Sequence, residues 1–380
     1  MIIPVIIEPI YDVESIWCAE TRIGLERELS RKKYSLLEID PMTYTSYDYQ
    51  KLPRTRANDR LVVLIGTSPK WISQALAFLS DNGVGVLLVS CQPPENAQVR
   101  GVVRIDYAAG IGQLLAHLSD CGCERPALYG CYADSSADLI KRWSFAERLG
   151  PNARIFENHG SLADCANEFI SDSSYFDSVI CANDIAAASL IQRLHAAGIR
   201  IPRDIQVVCF GSSEISRLFS PSITSLTLDN TEVGQQTVMA YAYLAKTDGE
   251  VNISVRVRGK LIIRESSCVA NTITAAEQPL THEPVFTTGF YDDHEVQTFT
   301  RLERILLGCD TIDREILRLI STEVTTEKIA EQLSLAVETV RYRIRRILSN
   351  AGLKTRAELL SFITGSGFGE VITEQKTNQA

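Results

Sequence analysis

The sequence predicts an α/β protein made of two doubly wound lobes, followed by a small all-α domain. Three observations lead to this fold class. Short apolar runs alternate with helical patterns through about residue 270, a stretch rich in Thr, Pro, Glu and Asp follows to about residue 297, and from residue 310 onwards the pattern is purely helical. A chain of 380 residues is also long enough for two or three domains.

The first 270 residues contain short runs rich in aliphatic and β-branched side chains. Most are continuously apolar, which is typical of strands buried on both faces of a parallel sheet. Amphipathic stretches at 111–118, 184–197 and 233–244 predict helices between them, so the chain is built from βαβ units. A segment of about 270 residues is too long to form a single compact sheet with its helices, so two lobes are favoured. The predicted strands cover residues 3–7, 35–39, 61–65, 84–89, 127–129, 179–181, 205–210 and 260–263.

Composition excludes several classes of protein. No apolar run approaches the roughly 18 residues needed to cross a bilayer, and no Lys or Arg precedes the first apolar run, which predicts a strand and not a secretory signal. We therefore expect a cytoplasmic protein whose ten cysteines are reduced thiols. The cysteines and the five histidines show no zinc-ligand spacing, and we expect neither a metal nor a cofactor.

The net charge of −9 conceals a local asymmetry. Residues 337–356 contain six basic residues and one acid, whereas residues 271–300 contain five acids and no Lys or Arg. A binding site for a polyanion is therefore expected only as a local patch near the C-terminus.

Four motifs in the first part of the chain resemble the second lobe of LacI/GalR-type regulators. They are I-C-A-N-D at 180–184, G-I-R-I-P-R-D-I-Q-V-V-C-F at 198–210, S-P-S-I-T-S-L at 220–226 and L-I-I-R-E-S at 261–266. The resemblance covers nearly all of residues 1–268. It implies a periplasmic-binding-protein-like sensor over residues 1–270, whose two lobes close on a small ligand. Lobe one is expected at about 1–130 and 228–252, and lobe two at about 131–227 and 253–270.

The candidate ligand residues follow strands or the lobe crossover. In open α/β sheets ligands bind at the carboxyl ends of strands, and an aromatic face beside charged and amide groups suits a sugar-like effector. Each residue also has a simpler interpretation, such as helix packing for Trp143, a turn for Tyr11 and Asp12, and helix capping for Asn183 and Asp184. The candidates are Tyr11, Asp12, Trp17, Lys141, Arg142, Trp143, Asn183 and Asp184.

The sensor departs from the LacI/GalR pattern in three places. Gly211 and Ser212 stand where the family usually has Asp, and Lys141 stands where it usually has Arg. These two changes leave the identity of the ligand open. The family's helix-turn-helix before the first strand is absent, so we expect another part of the chain to bind DNA.

Four segments near the C-terminus resemble the LuxR-type helix-turn-helix domain. They are D-R-E-I-L-R-L-I at 313–320, K-I-A-E-Q-L at 328–333, E-T-V-R at 338–341 and L-K-T-R-A-E-L at 353–359. The resemblance implies a DNA-binding domain over residues 309–365, a linker at 271–308 and a tail at 366–380. Two departures stand out. Ala336 replaces the usual Ser or Thr cap of the recognition helix, and Arg343 replaces its usual His.

Helix geometry independently predicts a DNA-binding face. With about 100° per residue from Arg341, Arg345 falls at about 40° and Tyr342 at about 100°, opposite an apolar arc. We expect Arg341, Tyr342 and Arg345 to contact bases, and Arg346, Lys354 and Arg356 to contact phosphates. The alternative is a solvated basic face. The full candidate set is Thr339, Arg341, Tyr342, Arg345, Arg346, Lys354 and Arg356.

Together these patterns predict a homodimeric transcription regulator that responds to a sugar-like effector and binds double-stranded operator DNA. The alternative is a regulator whose sensor has lost ligand binding and serves for dimerisation or protein interaction. An enzyme on a nucleotide-binding fold is disfavoured because residues 8–12 contain no Gly. A response regulator would need an Asp at the end of the third strand, where the chain reads L-I-G-T-S. The C-terminal helices and the missing signal oppose a solute-uptake protein.

Overall fold

The computed structural model describes residues 1–8, 16–66, 68–90, 98–133, 135–247, 251–267 and 293–365, with the backbone alone at residues 16–18 and 365. The described chain divides into two compact units. Unit one comprises residues 1–112, 133–144 and 228–260, and unit two comprises residues 113–132, 145–227 and 261 onwards. Tyr11 and Asp12 lie outside the described residues, and the side chain of Trp17 is likewise outside them.

The two units are built from alternating strands and helices. The strands are β1 (Ile2–Ile7), β2 (Ser35–Glu38), β3 (Arg60–Ile65), β4 (Val84–Val89), β5 (Gly101–Ile105), β6 (Pro126–Tyr132), β7 (Arg154–Asn158), β8 (Ser178–Cys181), β9 (Gln206–Phe210), β10 (Thr224–Leu226), β11 (Ile253–Val257) and β12 (Leu261–Ile262). Their helices are α1 (Ile16–Lys32), α2 (Pro69–Asp81), α3 (Tyr107–Asp120), α4 (Ser136–Leu149), α5 (Leu162–Ser171), α6 (Asp184–Ala196), α7 (Glu214–Leu218) and α8 (Asn230–Lys246).

Unit one contains a six-stranded sheet in the order β11-β5-β4-β3-β1-β2, with every pair parallel. The central strands are almost wholly buried, as their continuous apolar sequence predicts. Helices α1 and α8 cross closely at Gly24 and Gly234. A Cβ on either glycine would collide with a backbone oxygen of the other helix, so the crossing requires both glycines.

Unit two contains a second six-stranded sheet in the order β12-β10-β9-β8-β6-β7. Its pairs are parallel except for β10 and β12, which run antiparallel. The prediction of two parallel-sheet α/β lobes is therefore confirmed. The chain passes between the two sheets at positions that differ from those expected. Strand β6, expected mostly in lobe one, belongs to the second sheet. Strand β11, expected in lobe two, is an edge strand of the first sheet and alternates between buried and exposed residues.

Within residues 293–365 the structure describes five helices: α9 (His294–Leu307), α10 (Thr311–Ser321), α11 (Thr326–Gln332), α12 (Val337–Ala351) and α13 (Arg356–Gly365). Their apolar side chains join those of the second sheet and its helices in one continuous core. Helix α9 packs against α5, α6, α7 and α12. It lies within the expected linker, and its buried side chains, Phe299 among them, make it part of the core of unit two.

Within the described ranges, no helix combines the length and apolar character needed to span a bilayer.

Candidate functional site

The carboxyl edge of the second sheet positions Asn183 and Asp184. Asn183 caps α6, where its Oδ1 accepts a hydrogen bond of 2.8 Å from the backbone nitrogen of Ala186. Asp184 Oδ2 accepts a hydrogen bond of 2.9 Å from the backbone nitrogen of Ser213. Both side chains therefore hold local backbone at the edge where a ligand is expected.

Gly211 follows β9 at the same edge and has a φ of +114°, a conformation that L side chains rarely adopt. A Cβ at this position would lie 2.7 Å from Asp184 Oδ2. The carboxylate of Asp184 thus occupies the space that a side chain at 211 would enter. The absence of the usual Asp after β9 is matched by a carboxylate that reaches the same place from α6.

Arg264 adds a cation at this edge, and sequence reasoning missed it. Its guanidinium donates to Ser212 Oγ at 2.9 Å and to the backbone oxygen of Ile223 at 2.6 Å. Burial lowers its pKa, while the nearby carboxylate of Asp184 opposes that shift. A guanidinium and a carboxylate at one edge can serve a hydroxyl-rich ligand as donor and acceptor. Its position three residues after the start of β12 was the signal available in the sequence.

The first sheet has its own polar edge, also missed. Glu8 directly follows β1, is fully buried, and accepts a hydrogen bond of 3.2 Å from the backbone nitrogen of Ser68 through Oε2. Ser90 directly follows β4 and is buried. A polar residue immediately after an apolar run was the signal that could have found both.

The three candidates on α4 have different environments. Lys141 is 4% exposed, and its Nζ lies 2.7 Å from Asp138 Oδ1 and 4.9 Å from the centre of the Tyr107 ring. Its charge is therefore balanced within unit one. Arg142 is partly buried. Trp143 is 65% exposed, so core packing does not account for it.

Helices α11 and α12 are joined by the short turn of residues 333–336. Helix α12 begins after Ala336, which makes no side-chain capping bond, as predicted, and ends at Gly352, whose φ of 62° gives a left-handed cap. Apolar residues on one side of α12, such as Val340 and Ile344, are buried in the core. The helix is thus packed along one face.

The opposite face of α12 is exposed. Thr339, Arg341, Tyr342 and Arg345 are all exposed there, and Tyr342 is 61% accessible. The guanidinium of Arg341 lies 2.6 Å from a carboxylate oxygen of Glu338, in a surface ion pair of small energy. The sequence-predicted face is therefore brought together on one helix.

Arg343 and Arg346 make ion pairs with acidic residues at the start of α10 instead. The two side chains converge on Asp313, which is fully buried, and Arg343 also pairs with Asp310 at 2.8 Å. The hydrogen bond from Arg343 lowers the pKa of Asp310 to about 2. Arg346 joins α12 to α10 through this ion pair, and because its side chain is 40% exposed, its contact with phosphate stays a prediction.

Arg356 is committed to the protein as well. Its guanidinium donates to Thr326 Oγ1 at 3.0 Å and to the backbone oxygen of Val324. It therefore joins the start of α13 to the start of α11, and its contact with phosphate stays a prediction. Lys354, the third predicted phosphate ligand, is exposed.

In the part of the chain that the structure describes, no group of three or more His, Cys, Asp or Glu side chains is arranged to hold a metal ion.

Residues 115–267 match the family model described as "Periplasmic binding protein-like domain". The chain is 26% identical over 260 residues to the HTH-type transcriptional repressor PurR of Photobacterium profundum, covering 65% of this chain and 76% of that protein. It is 30% identical over 153 residues to the NTD biosynthesis operon regulator NtdR of Bacillus subtilis, covering 39% of this chain and 44% of that protein.

Among solved structures, the transcriptional regulator CelR in complex with cellobiose superposes with a TM-score of 0.56 at 17% identity, covering 70% of this chain and 84% of that one. At this identity the likeness concerns the fold. The curated relatives are transcriptional regulators and not enzymes, as predicted. Residues 115–267 thus match a periplasmic-binding-protein-like domain, the two parallel-sheet lobes are similar in fold to LacI-type regulators, and the curated relatives are regulators of transcription.

Proposed function

We propose that this chain is a ligand-responsive transcription regulator that binds operator DNA through α11 and α12, a helix-turn-helix of LuxR type. The observation that carries the proposal is the exposed face of α12. Arg341, Tyr342 and Arg345 project from one side of a helix whose other side is fixed in the core. A helix held in this way can enter the major groove with its exposed face toward the bases.

The sensor half of the proposal draws on the relatives. Structures similar in fold include regulators described with bound cellobiose, sucrose and ribose. In unit two the guanidinium of Arg264 and the carboxylate of Asp184 supply hydrogen-bonding groups that a sugar-like effector needs. The ring of Trp143, which is exposed on α4, stays a predicted stacking surface.

We also propose a homodimer. One recognition helix makes few base contacts, and paired half-sites supply the remaining affinity. Sedimentation of the full chain at micromolar concentration is expected to give a dimer. A monomer at that concentration would contradict this part of the proposal.

The DNA-binding role is tested after selecting bound duplexes from a random library with the full chain. Arg345→Ala should lose about 1–3 kcal/mol on the selected duplex and little on a scrambled one, since a base contact carries the discrimination. Lys354→Ala should weaken both equally and reduce the salt slope by about one.

The matched control is Arg304→Ala, which removes an exposed arginine from α9. It should leave both affinities unchanged. If Arg345→Ala behaves like Arg304→Ala, the basic face of α12 is only solvated and the proposed DNA-binding role is wrong. An equal loss on both duplexes would make Arg345 a phosphate contact.

A second candidate function is a regulator whose sensor no longer binds a small molecule. Its support is the commitment of predicted ligand groups to the protein: Lys141 to Asp138, and Asp184 to Ser213. A thermal-shift screen against sugars, polyols and their phosphates separates the two. A ligand at 100 times its Kd stabilises the folded state by about 2.7 kcal/mol and raises the Tm, whereas a screen without any shift favours the second candidate.

A further inference from the structure

Two carboxylates from different elements hold one short segment of unit two. Asp184, at the start of α6, accepts from the backbone nitrogen of Ser213 at 2.9 Å. Glu303, in the middle of α9, accepts from the next two backbone nitrogens, those of Glu214 and Ile215, each at 2.9 Å. Three consecutive amides are therefore divided between the ligand edge of the second sheet and the helix that leads to α10–α13.

The position of Glu303 is unusual for a carboxylate, because it is 2% exposed and has another carboxylate nearby. Burial and the charge of Asp184 raise the pKa of Glu303 to about 7, against the effect of the two amide hydrogen bonds. The ionisation of Glu303 is thus coupled to Asp184 through space as well as through the shared segment.

Other charged groups surround this pair. Arg264 lies near Asp184, and Glu214 is paired with Arg217 of α7 and, at 2.6 Å, with Arg314 of α10. The start of α7 is therefore tied to α9 through Glu303 and to α10 through Glu214.

Helix α9 is also held at its first turn, through Glu295, and in its middle, through Arg301. Glu295 accepts from Ser189 Oγ at 2.5 Å and pairs with Arg193, both on α6. Arg301 donates to the backbone oxygen of Ala351, the last residue of α12, at 2.8 Å. A displacement of α9 is therefore passed directly to the recognition helix.

We propose that Glu303 couples the ligand edge of the second sheet to the DNA-binding helices, by holding the start of α7 next to the amide that Asp184 holds. The proposal rests on the proposed function, in that the effector is taken to bind at this edge. An effector that draws Asp184 into its own hydrogen bonds releases the backbone nitrogen of Ser213 and weakens the repulsion between the carboxylates of Asp184 and Glu303. The segment 213–215 then rearranges, and α9 moves with it.

A purely structural capping role for Glu303 predicts something different. In that case a change at Asp184 affects its own loop and stops there. The two accounts are separated by measuring whether α9 responds to Asp184 in the free protein, which requires neither effector nor operator.

The experiment is hydrogen–deuterium exchange of the full chain, followed by mass spectrometry of peptides covering residues 211–219 and 294–307. Asp184→Ala should raise exchange about tenfold in both segments. The charge-assisted hydrogen bond to Ser213 is lost in the first segment, and the resulting loss of stability should extend to the second through Glu303. The matched control is Asp177→Asn, a buried carboxylate of unit two that accepts from the backbone nitrogens of Glu124 and Arg125. This variant should raise hydrogen–deuterium exchange around residues 123–126 and leave exchange in residues 211–219 and 294–307 unchanged.

Asp184→Asn guards against a variant that fails to fold, because it retains an acceptor oxygen and removes the charge. It should lower the pH at which exchange in 294–307 changes, as Glu303 then ionises more readily. An unchanged midpoint in Asp184→Asn, or unchanged exchange in 294–307 in Asp184→Ala, would overturn the coupling. A failed effector screen with these responses intact would instead count against the sensor alone.

Discussion

At the scale of single residues, the four arginines of α12 show that equal charge does not mean equal role. Arg341 and Arg345 are exposed, whereas Arg343 and Arg346 converge on the buried carboxylate of Asp313. Asp313 also completes a capping box with Asp310 at the start of α10. Two arginines are thus available to a partner, and two hold the domain together.

Replacing Asp313 by Asn should therefore destabilise the C-terminal helices. Arg346 loses its counter-charge and Arg343 retains only Asp310, and we expect a cost of about 2 kcal/mol, moderated by the partial exposure of Arg346. Urea unfolding measures the change. The control is Glu338→Gln, which removes the exposed partner of Arg341 and should cost less than about 0.5 kcal/mol. Equal effects in the two variants would refute the distinction.

Glu303 should give stability an unusual dependence on pH. Its pKa is about 7 in the folded chain against 4.5 for an ordinary glutamate, so between these values the folded state binds more protons than the unfolded state. Stability therefore falls as pH rises through this window, by roughly 3 kcal/mol at most. Urea unfolding from about pH 5 to about pH 8 should show this fall in the parent and a flatter profile in Glu303→Gln. Parallel profiles would refute it.

At the scale of elements, strands with a continuous apolar run were predictable, whereas β5, β7, β10 and β11, whose sequences include polar residues, were missed. The buried strands β1, β3 and β4 were located to within a residue at each end. β7 contains Arg, Glu and Asn, and β11 alternates in polarity, because each lies at the edge of its sheet. An edge strand pairs on one side only, so it carries no continuous apolar run.

The same limit applied to the candidate site. The helical wheel of α12 placed its exposed and buried arcs correctly, since both depend on the helix's own geometry. The wheel did not reveal that Arg346 forms an ion pair with Asp313, or that Arg356 donates hydrogen bonds to Val324 and Thr326. Those partners come from other helices, and sequence spacing contains no information about such contacts.

The uncapped start of α12 offers a test at this scale. Ala336→Ser supplies a side-chain oxygen for the free amides of the first turn and should stabilise the protein by about 1 kcal/mol. Thr325 already caps α11, where its side chain accepts from the backbone nitrogen of Lys328, so Thr325→Ala should cost about as much. Thermal unfolding of both variants checks the two signs, and a destabilised Ala336→Ser would contradict the assignment of the cap.

At the scale of the whole molecule, the C-terminal helices and the second sheet share one hydrophobic core. The expected route from sensor to DNA was a linker, but α9 within it packs on α5, α6 and α7. We therefore expect a conformational change in unit two to reach α12 through packed side chains and hydrogen bonds.

A shared core predicts shared unfolding. Phe299→Ala removes a buried ring from α9 and should cost about 3–5 kcal/mol. Exchange protection should fall together in β8, β9 and α12, as measured by hydrogen–deuterium exchange in mild denaturant. Tyr243→Ala, at an exposed position of α8, is the control and should leave all three unchanged. Loss of protection in α12 alone would show that the helices unfold as a separate domain.

The packing of α9 also constrains the operator. A DNA-binding domain on a flexible tether tolerates half-sites at many spacings, because slack in the tether absorbs the difference. Helix α12 has no such slack, since α9 and α10 hold it against the other helices of unit two. In the proposed homodimer the number of base pairs between half-sites is then dictated by the sensor pair. Inserting about five base pairs, half a helical turn, places the second half-site on the opposite face of the duplex and out of reach.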